Sequence, residues 1–136
     1  MWTRLIADIV RCGVYTEADR EQALTAFEAC RGAFDRQVPS CLLHMDIWDQ
    51  NILVDESGQL TGIVDWDRAL WGDPEIEFAV LDYCGYNLPE FWEAYGERVE
   101  QDDAWTVRQH FYHLYEVQKY LVIWTLRGGG DEVEEY

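Results

Sequence analysis

Lysine is almost missing from this chain: its 136 residues contain one, Lys119. Lysine and arginine together number 10 against 27 aspartates and glutamates, a net charge of −17. A phosphate backbone is bound through cationic side chains, so this balance argues against a nucleic-acid partner. An acidic surface keeps a protein dispersed and suits cationic ligands. Histidine is scarce, and the four cysteines (Cys12, Cys30, Cys41, Cys84) show no C-x-x-C spacing. That excludes a recognisable zinc site or dense disulfide framework and points to thiols in a reducing cytoplasm. Long apolar runs are also lacking. Arg4 and Asp8 interrupt the apolar start, which makes it a poor signal peptide, and Tyr120–Trp124 is far too short to span a bilayer. A cytoplasmic protein without a membrane partner is expected.

Apolar residues make up 49% of the sequence, with seven tryptophans and eight tyrosines, which excludes a disordered chain despite the charge. The length corresponds to a single domain, residues 1–136, with a core of modest size. Gly128-Gly129-Gly130 and the acidic residues after it predict a flexible tail over 127–136.

The first 40 residues read as helical. Thr16 followed by Asp19 resembles a capping box, and Leu24, Phe27, Cys30 and Phe34 recur at helical spacing, predicting one buried face that ends by Pro39. The middle changes character. Cys41-Leu42-Leu43 and Ile52-Leu53-Val54 are short apolar runs, Asp55-Glu56-Ser57-Gly58 is a turn signal, and Leu60–Val64 reads as a returning strand. An antiparallel hairpin of this kind brings Asn51, before its first strand, close to Asp65, after its second. From Asp73 onward the chain reads as helix: Asp73 and Pro74 open one that stops at Gly85. Pro89 opens a second with Phe91, Trp92, Tyr95 and Val99 on one face, and Asp102-Asp103 cap a third from Ala104 to about Leu126. The apolar Tyr120–Trp124 stretch predicts that this last helix is buried in the centre. The fold class is α+β, mainly α.

His44-Met45-Asp46-Ile47-Trp48-Asp49-Gln50-Asn51 fits H-x-D-x-x-x-x-N, the spacing of a kinase catalytic loop. Phosphoryl transfer needs a carboxylate to orient or deprotonate the acceptor hydroxyl, and oxygen ligands for magnesium. Asp46 suits the first role; Asn51, with Asp65 from Ile63-Val64-Asp65-Trp66-Asp67, suits the second. Asp49 and Asp67 read as solvated carboxylates, Asp73 as a helix cap, and Trp48 and Trp71 as packing residues or flanks of a substrate cleft.

Leu42 to Leu81 resembles the aminoglycoside phosphotransferase and related small-molecule kinase family, whose fold is that of the protein kinases. The resemblance implies a carboxy-terminal kinase lobe: a helical bundle with a small hairpin carrying the catalytic and metal residues. It makes His44 and Asp46 the catalytic-loop pair, His44 more as a brace for the loop than as a proton shuttle. It makes Asn51 and Asp65 the magnesium ligands and puts Leu53 and Val64 against the adenine. Trp66 stands where protein kinases have Phe. Gly72-Asp73-Pro74 also matches, but Glu77 stands where the family usually has Asp. The implied activity is transfer of the γ-phosphate of ATP to a hydroxyl of a small molecule, aminoglycoside-like or otherwise cationic; related families act on choline, homoserine and fructosamines.

The amino-terminal lobe of such a kinase supplies a Gly-rich cover over the phosphates and a strand lysine. Upstream of His44 there is no lysine, and Gly13 and Gly32 lie far apart. The expectation is a catalytic half-site, inactive by itself, in which an exposed inter-lobe face could drive self-association. A non-catalytic lobe that acts by binding or assembly is the alternative.

Overall fold

The computed structural model describes residues 2–96 and 99–128. Of the tail predicted over 127–136, residues 129–136 lie outside the described residues, and Arg127 is the last residue of a helix. The chain divides into two compact units, residues 1–35 with 114–136, and residues 36–113.

The first unit contains α1 (Trp2–Arg11), α2 (Glu17–Cys30), a 3-10 turn over Arg31–Phe34, and the later part of α5 (Asp103–Arg127). The capping box forms: Thr16 Oγ1 accepts from Asp19 N at 3.2 Å, and Asp19 Oδ2 accepts from Thr16 N at 2.8 Å. Thr16 Oγ1 also donates to Asp19 Oδ2 at 2.7 Å, and this bond, followed by that from Thr16 N, holds the Asp19 carboxyl below its ordinary value. The face expected on α2 is only half-buried, because its apolar residues are few and spread among charges. Phe27 does anchor it, with its ring 5.3 Å from that of Trp2 and 5.6 Å from that of Phe34. The fully buried apolar residues of α1 are Ile6 and Ile9.

The sequence expectation fails at the end of α5. Tyr120–Trp124 is half-buried, and the buried positions of this part of the helix are Glu116 and Gln118. Both are polar, so each needs a partner. Lys119 forms an ion pair with Glu116, and Gln118 Nε2 donates to Tyr15 Oη at 2.7 Å. The one lysine of the chain thus neutralises a buried glutamate one turn away.

The second unit contains β1 (Cys41–Leu43), β2 (Ile52–Val54), β3 (Leu60–Ile63), β4 (Leu70–Gly72), α3 (Glu75–Tyr83), α4 (Pro89–Tyr95) and the start of α5. The expected β2–β3 hairpin is present, with Ile52 opposite Ile63 and a bulge where Val54 pairs with Leu60. Its turn is built on Asp55, whose Oδ1 accepts from Ser57 N, Ser57 Oγ and Gln59 N. The second pairing, β1 with β4, was not legible locally: Leu70-Trp71-Gly72 is too short to announce a strand. A Cβ at Gly72 would come within 3.0 Å of Leu70 Cδ1 and 3.4 Å of Leu43 Cδ1, so a larger residue there would push these side-chain ends aside by a few tenths of an ångström.

Leu43, Met45, Ile76 and Val80 form the core, with Leu70, Cys84 and Tyr112 packed against it. Asp73 caps α3 through Oδ1, which accepts from Glu75 N at 3.0 Å. Phe78 packs on Trp92 and Tyr95 at 5.0 and 5.4 Å, which fixes α4 on α3. Gly96, at φ 73°, ends α4, so Val99 does not continue its apolar face. Asp102 Oδ1 caps α5 by accepting from Trp105 N at 2.6 Å. Cys12, Cys30 and Cys41 carry free thiols. No described helix is long and apolar enough to cross a membrane.

Candidate active site

The segment from His44 to Asn51 leaves β1, crosses an irregular loop, and enters β2 through a 3-10 turn over Asp49–Asn51. Two non-glycine residues adopt left-handed backbone, Met45 at φ 67° and Asp65 at φ 64°. Such a conformation costs about 1–3 kcal/mol and persists only where its surroundings enforce it. Glu77 enforces it at Met45. Its carboxylate accepts from His44 N at 2.6 Å and from Met45 N at 3.1 and 3.2 Å, while the Met45 side chain is buried in the core. The glutamate in place of the family's usual aspartate makes this contact from α3. Glu77→Ala is expected to lower stability by about 1–3 kcal/mol, the cost of stranding buried amide donors, in urea unfolding.

His44 is 2% exposed, and its Nε2 lies 2.9 Å from the Val64 carbonyl. A carbonyl only accepts, so Nε2 carries a proton and donates it. Nδ1 is buried, with no hydrogen-bond partner among the described residues. With Nε2 committed to the backbone, and Trp66 edge-on at 4.5 Å, His44 braces the loop against the end of the hairpin. Val64 N in turn donates to Asn51 O at 3.0 Å, so Asn51 and Asp65 are held at adjacent positions by backbone pairing.

The Asp46 carboxylate is fixed from two sides. Arg68 Nη1 lies 2.8 Å from Oδ1, and Asn51 Nδ2 donates to Oδ2 at 3.3 Å and to the Asp46 carbonyl at 2.9 Å. Asn51 is 6% exposed, whereas Asp65 is exposed. Asp49 and Asp67 are exposed as expected, and Asp49 N donates to Tyr86 Oη at 3.0 Å. Leu53 and Val64 are 46% and 40% exposed, and Trp48 and Trp71 are 37% and 71% exposed. Among the described residues no group of three or more His, Cys, Asp or Glu side chains is gathered around a metal position. A site of Asn51 and Asp65 would complete its coordination with phosphate and water oxygens.

Beneath the loop lies an ion-pair network that sequence reasoning missed. Glu75, 5% exposed, takes Arg108 Nε at 2.7 Å and Nη2 at 3.0 Å. Arg36 Nη2 bridges Asp73 at 2.6 Å and Glu75 at 2.7 Å, and Tyr112 Oη donates to Asp73 Oδ2 at 3.2 Å. Burial first, then the charge of Asp73, push the Tyr112 hydroxyl above the ordinary tyrosine range; burial does the same to Tyr115. A raised folded-state value contributes stability below about pH 10 that is lost as pH rises through the folded value. In an alkaline absorbance titration Tyr112 and Tyr115 are expected to ionise above the ordinary tyrosine range. Tyr112→Phe should flatten the alkaline loss of stability. Ionisation of Tyr112 within the ordinary tyrosine range in the folded protein would contradict this environment.

Comparison with known proteins shows the family. The model of the phosphotransferase enzyme family matches residues 4–111, and the chain belongs to that family. It is similar to ketosamine-3-kinase of Mus musculus, 29% identical over 96 residues that cover 71% of this chain and 29% of the relative. It is also similar to hygromycin-B 4-O-kinase of Escherichia coli, 30% identical over 69 residues, 51% of this chain and 18% of the relative. A probable ketoamine kinase of Vibrio cholerae serotype O1 (strain ATCC 39315 / El Tor Inaba N16961) is 34% identical over 77 residues, 56% of this chain and 25% of the relative. The chain spans less than a third of the length of these curated relatives. No solved structure matches it significantly.

Proposed function

We propose that this chain is the catalytic, carboxy-terminal lobe of a kinase that moves the γ-phosphate of ATP to a hydroxyl of a small molecule. The observation that carries the reading is the closure of the β2–β3 hairpin. It sets Asn51 beside Val64-Asp65 while Asn51 also holds Asp46, joining base and metal ligands in one loop system. In this reading the acceptor oxygen bonds to the γ-phosphorus as the bridging bond to the β-phosphate breaks, and ADP leaves with that electron pair. Asp46 takes the hydroxyl proton. Positioning and charge stabilisation supply most of the acceleration in such a transfer.

Asn51 and Asp65 fit a hard divalent cation, since both offer oxygen donors. The Asn51 amide nitrogen is engaged with Asp46, which leaves its amide oxygen as the metal-facing end. When bound, magnesium neutralises charge on the β- and γ-phosphates. Leu53 and Val64 serve as the apolar surface for the adenine. Asp65→Ala is expected to abolish magnesium–nucleotide binding by calorimetry; undiminished binding would refute the metal assignment.

The substrate is read as a cationic amino-sugar or ketoamine derivative, in keeping with the net charge of −17 and the named relatives. The protein is taken to be cytoplasmic, where ATP is available. A phosphorylation screen over amino-sugars and ketoamines, using the protein with all sequence that precedes this lobe, tests it; transfer to none of them would reject this substrate class. The lobe alone is expected to turn over little, because the phosphates lack their cover.

A second reading, a lobe that acts by assembly, is favoured by the apolar exposure of Val54 (58%), Leu60 (63%) and Trp71 (71%). It requires self-association, and a monomer at high concentration by sedimentation would exclude it.

A further inference from the structure

We infer that Arg68 is a positioning residue for phosphoryl transfer: it holds Oδ1 of Asp46, so that Oδ2 is the oxygen turned to the acceptor hydroxyl. The inference rests on the assignment of Asp46 as the base. Three observations carry it. The bond from Arg68 Nη1 to Oδ1 is 2.8 Å and joins two charged groups, whereas Asn51 Nδ2 reaches Oδ2 at 3.3 Å. The ion pair adds the attraction of two full charges to its hydrogen bond, and the Asn51 bond is the longer of the two, so the oxygen released when a hydroxyl approaches is Oδ2. Asn51 keeps its hold on the loop through the Asp46 carbonyl at 2.9 Å, so releasing Oδ2 does not loosen the turn.

The pair is also sheltered. The side chains of Asp46 and Arg68 are 16% and 28% exposed, which limits screening by water and salt. Among the described cations of this unit, Arg36 and Arg108 are engaged with Asp73 and Glu75, and Arg68 is the one placed at Asp46. The catalytic loop itself, His44 to Asn51, contains no cation. Arg68 lies three positions after Asp65, so the element that presents the metal aspartate also supplies the counter-charge of the base. Hairpin closure therefore sets both groups together.

A misplacement of about 1 Å at a reacting group costs about 10²-fold in rate. The kinetic test uses the protein with all sequence that precedes this lobe. Arg68→Gln is expected to lower kcat by about that factor, with nucleotide KM changed less than about threefold, while Arg68→Lys restores much of the rate. Combined with Asp46→Asn, Arg68→Gln should cause no further loss, because it acts through Asp46. A purely structural arginine would instead lower the melting temperature and shift KM, with losses that add in the double variant. Full kcat in Arg68→Gln would overturn the inference and leave Asp46 as base; full kcat in Asp46→Asn would overturn the base itself. A readout independent of turnover is the ¹⁵N spectrum of the Arg68 guanidinium. Its Nη signals should be resolved in this chain and collapse in Asp46→Ala, which removes the acceptor; collapsed signals before substitution would show that the ion pair does not hold Oδ1 and would overturn the inference.

Discussion

Asp46→Asn is expected to lower kcat by about 10³-fold, within the range for loss of a general base, while nucleotide affinity changes little. The substitution is informative because it keeps the shape of the site. An asparagine oxygen can still accept from Arg68, and the backbone carbonyl of position 46 still accepts from Asn51 Nδ2. The capacity to take a proton is removed, together with the charge that pairs with Arg68 and the bond that Oδ2 accepts from Asn51 Nδ2. The left-handed turn at Met45, held by Glu77, and the His44 bond to Val64 do not involve the Asp46 side chain. Steady-state kinetics and nucleotide titration on the same preparation separate the outcomes. A loss of kcat with intact binding supports proton transfer to Asp46. Retained turnover would mean that another group, or the phosphate itself, accepts the proton.

The largest expected loss of stability follows from Glu75→Ala. The Glu75 side chain is 6% exposed and that of Arg108 7%, and they meet through two bonds, at 2.7 and 3.0 Å. The glutamate also holds the Arg108 guanidinium above its ordinary value. Removing one partner of a buried pair strands the other charge and costs about 3–5 kcal/mol. A domain holds only about 5–15 kcal/mol in total, so the variant should sit near the unfolding threshold. Urea unfolding followed by tryptophan fluorescence would read the change. The paired replacement Glu75→Met with Arg108→Met should be far milder, since an apolar pair of similar volume carries no desolvation cost. A Glu75→Ala protein within about 1 kcal/mol of the parent would show that water or the carboxylates of Asp73 and Asp102 compensate the stranded Arg108 charge.

These two positions mark the limits of the sequence. The proximity of Asp46, Asn51 and Val64-Asp65 was legible because one loop and one local hairpin, whose turn residues are contiguous, bring them together. The capping residues Thr16, Asp19, Asp73 and Asp102 were legible for the same reason: a cap acts within one turn of its own helix. Arg68, Glu75 and Arg108 were not, since a charged residue reads as solvated until another element closes over it. The pairing of β1 with β4 joins segments whose ends lie about thirty residues apart, and the space beside Gly72 narrows only once Leu43 and Ile76 are packed against it. The end of α5 misled for the opposite reason, because its apolar stretch is half-buried while Glu116 and Gln118 are buried. By itself the sequence determined the family resemblance and the local hairpin that brings Asn51 to Val64-Asp65. The tertiary structure decided which oxygen of Asp46 is held, by which arginine, and which glutamate is buried against Arg108. Those depend on contacts between distant segments, and a linear pattern carries no record of them.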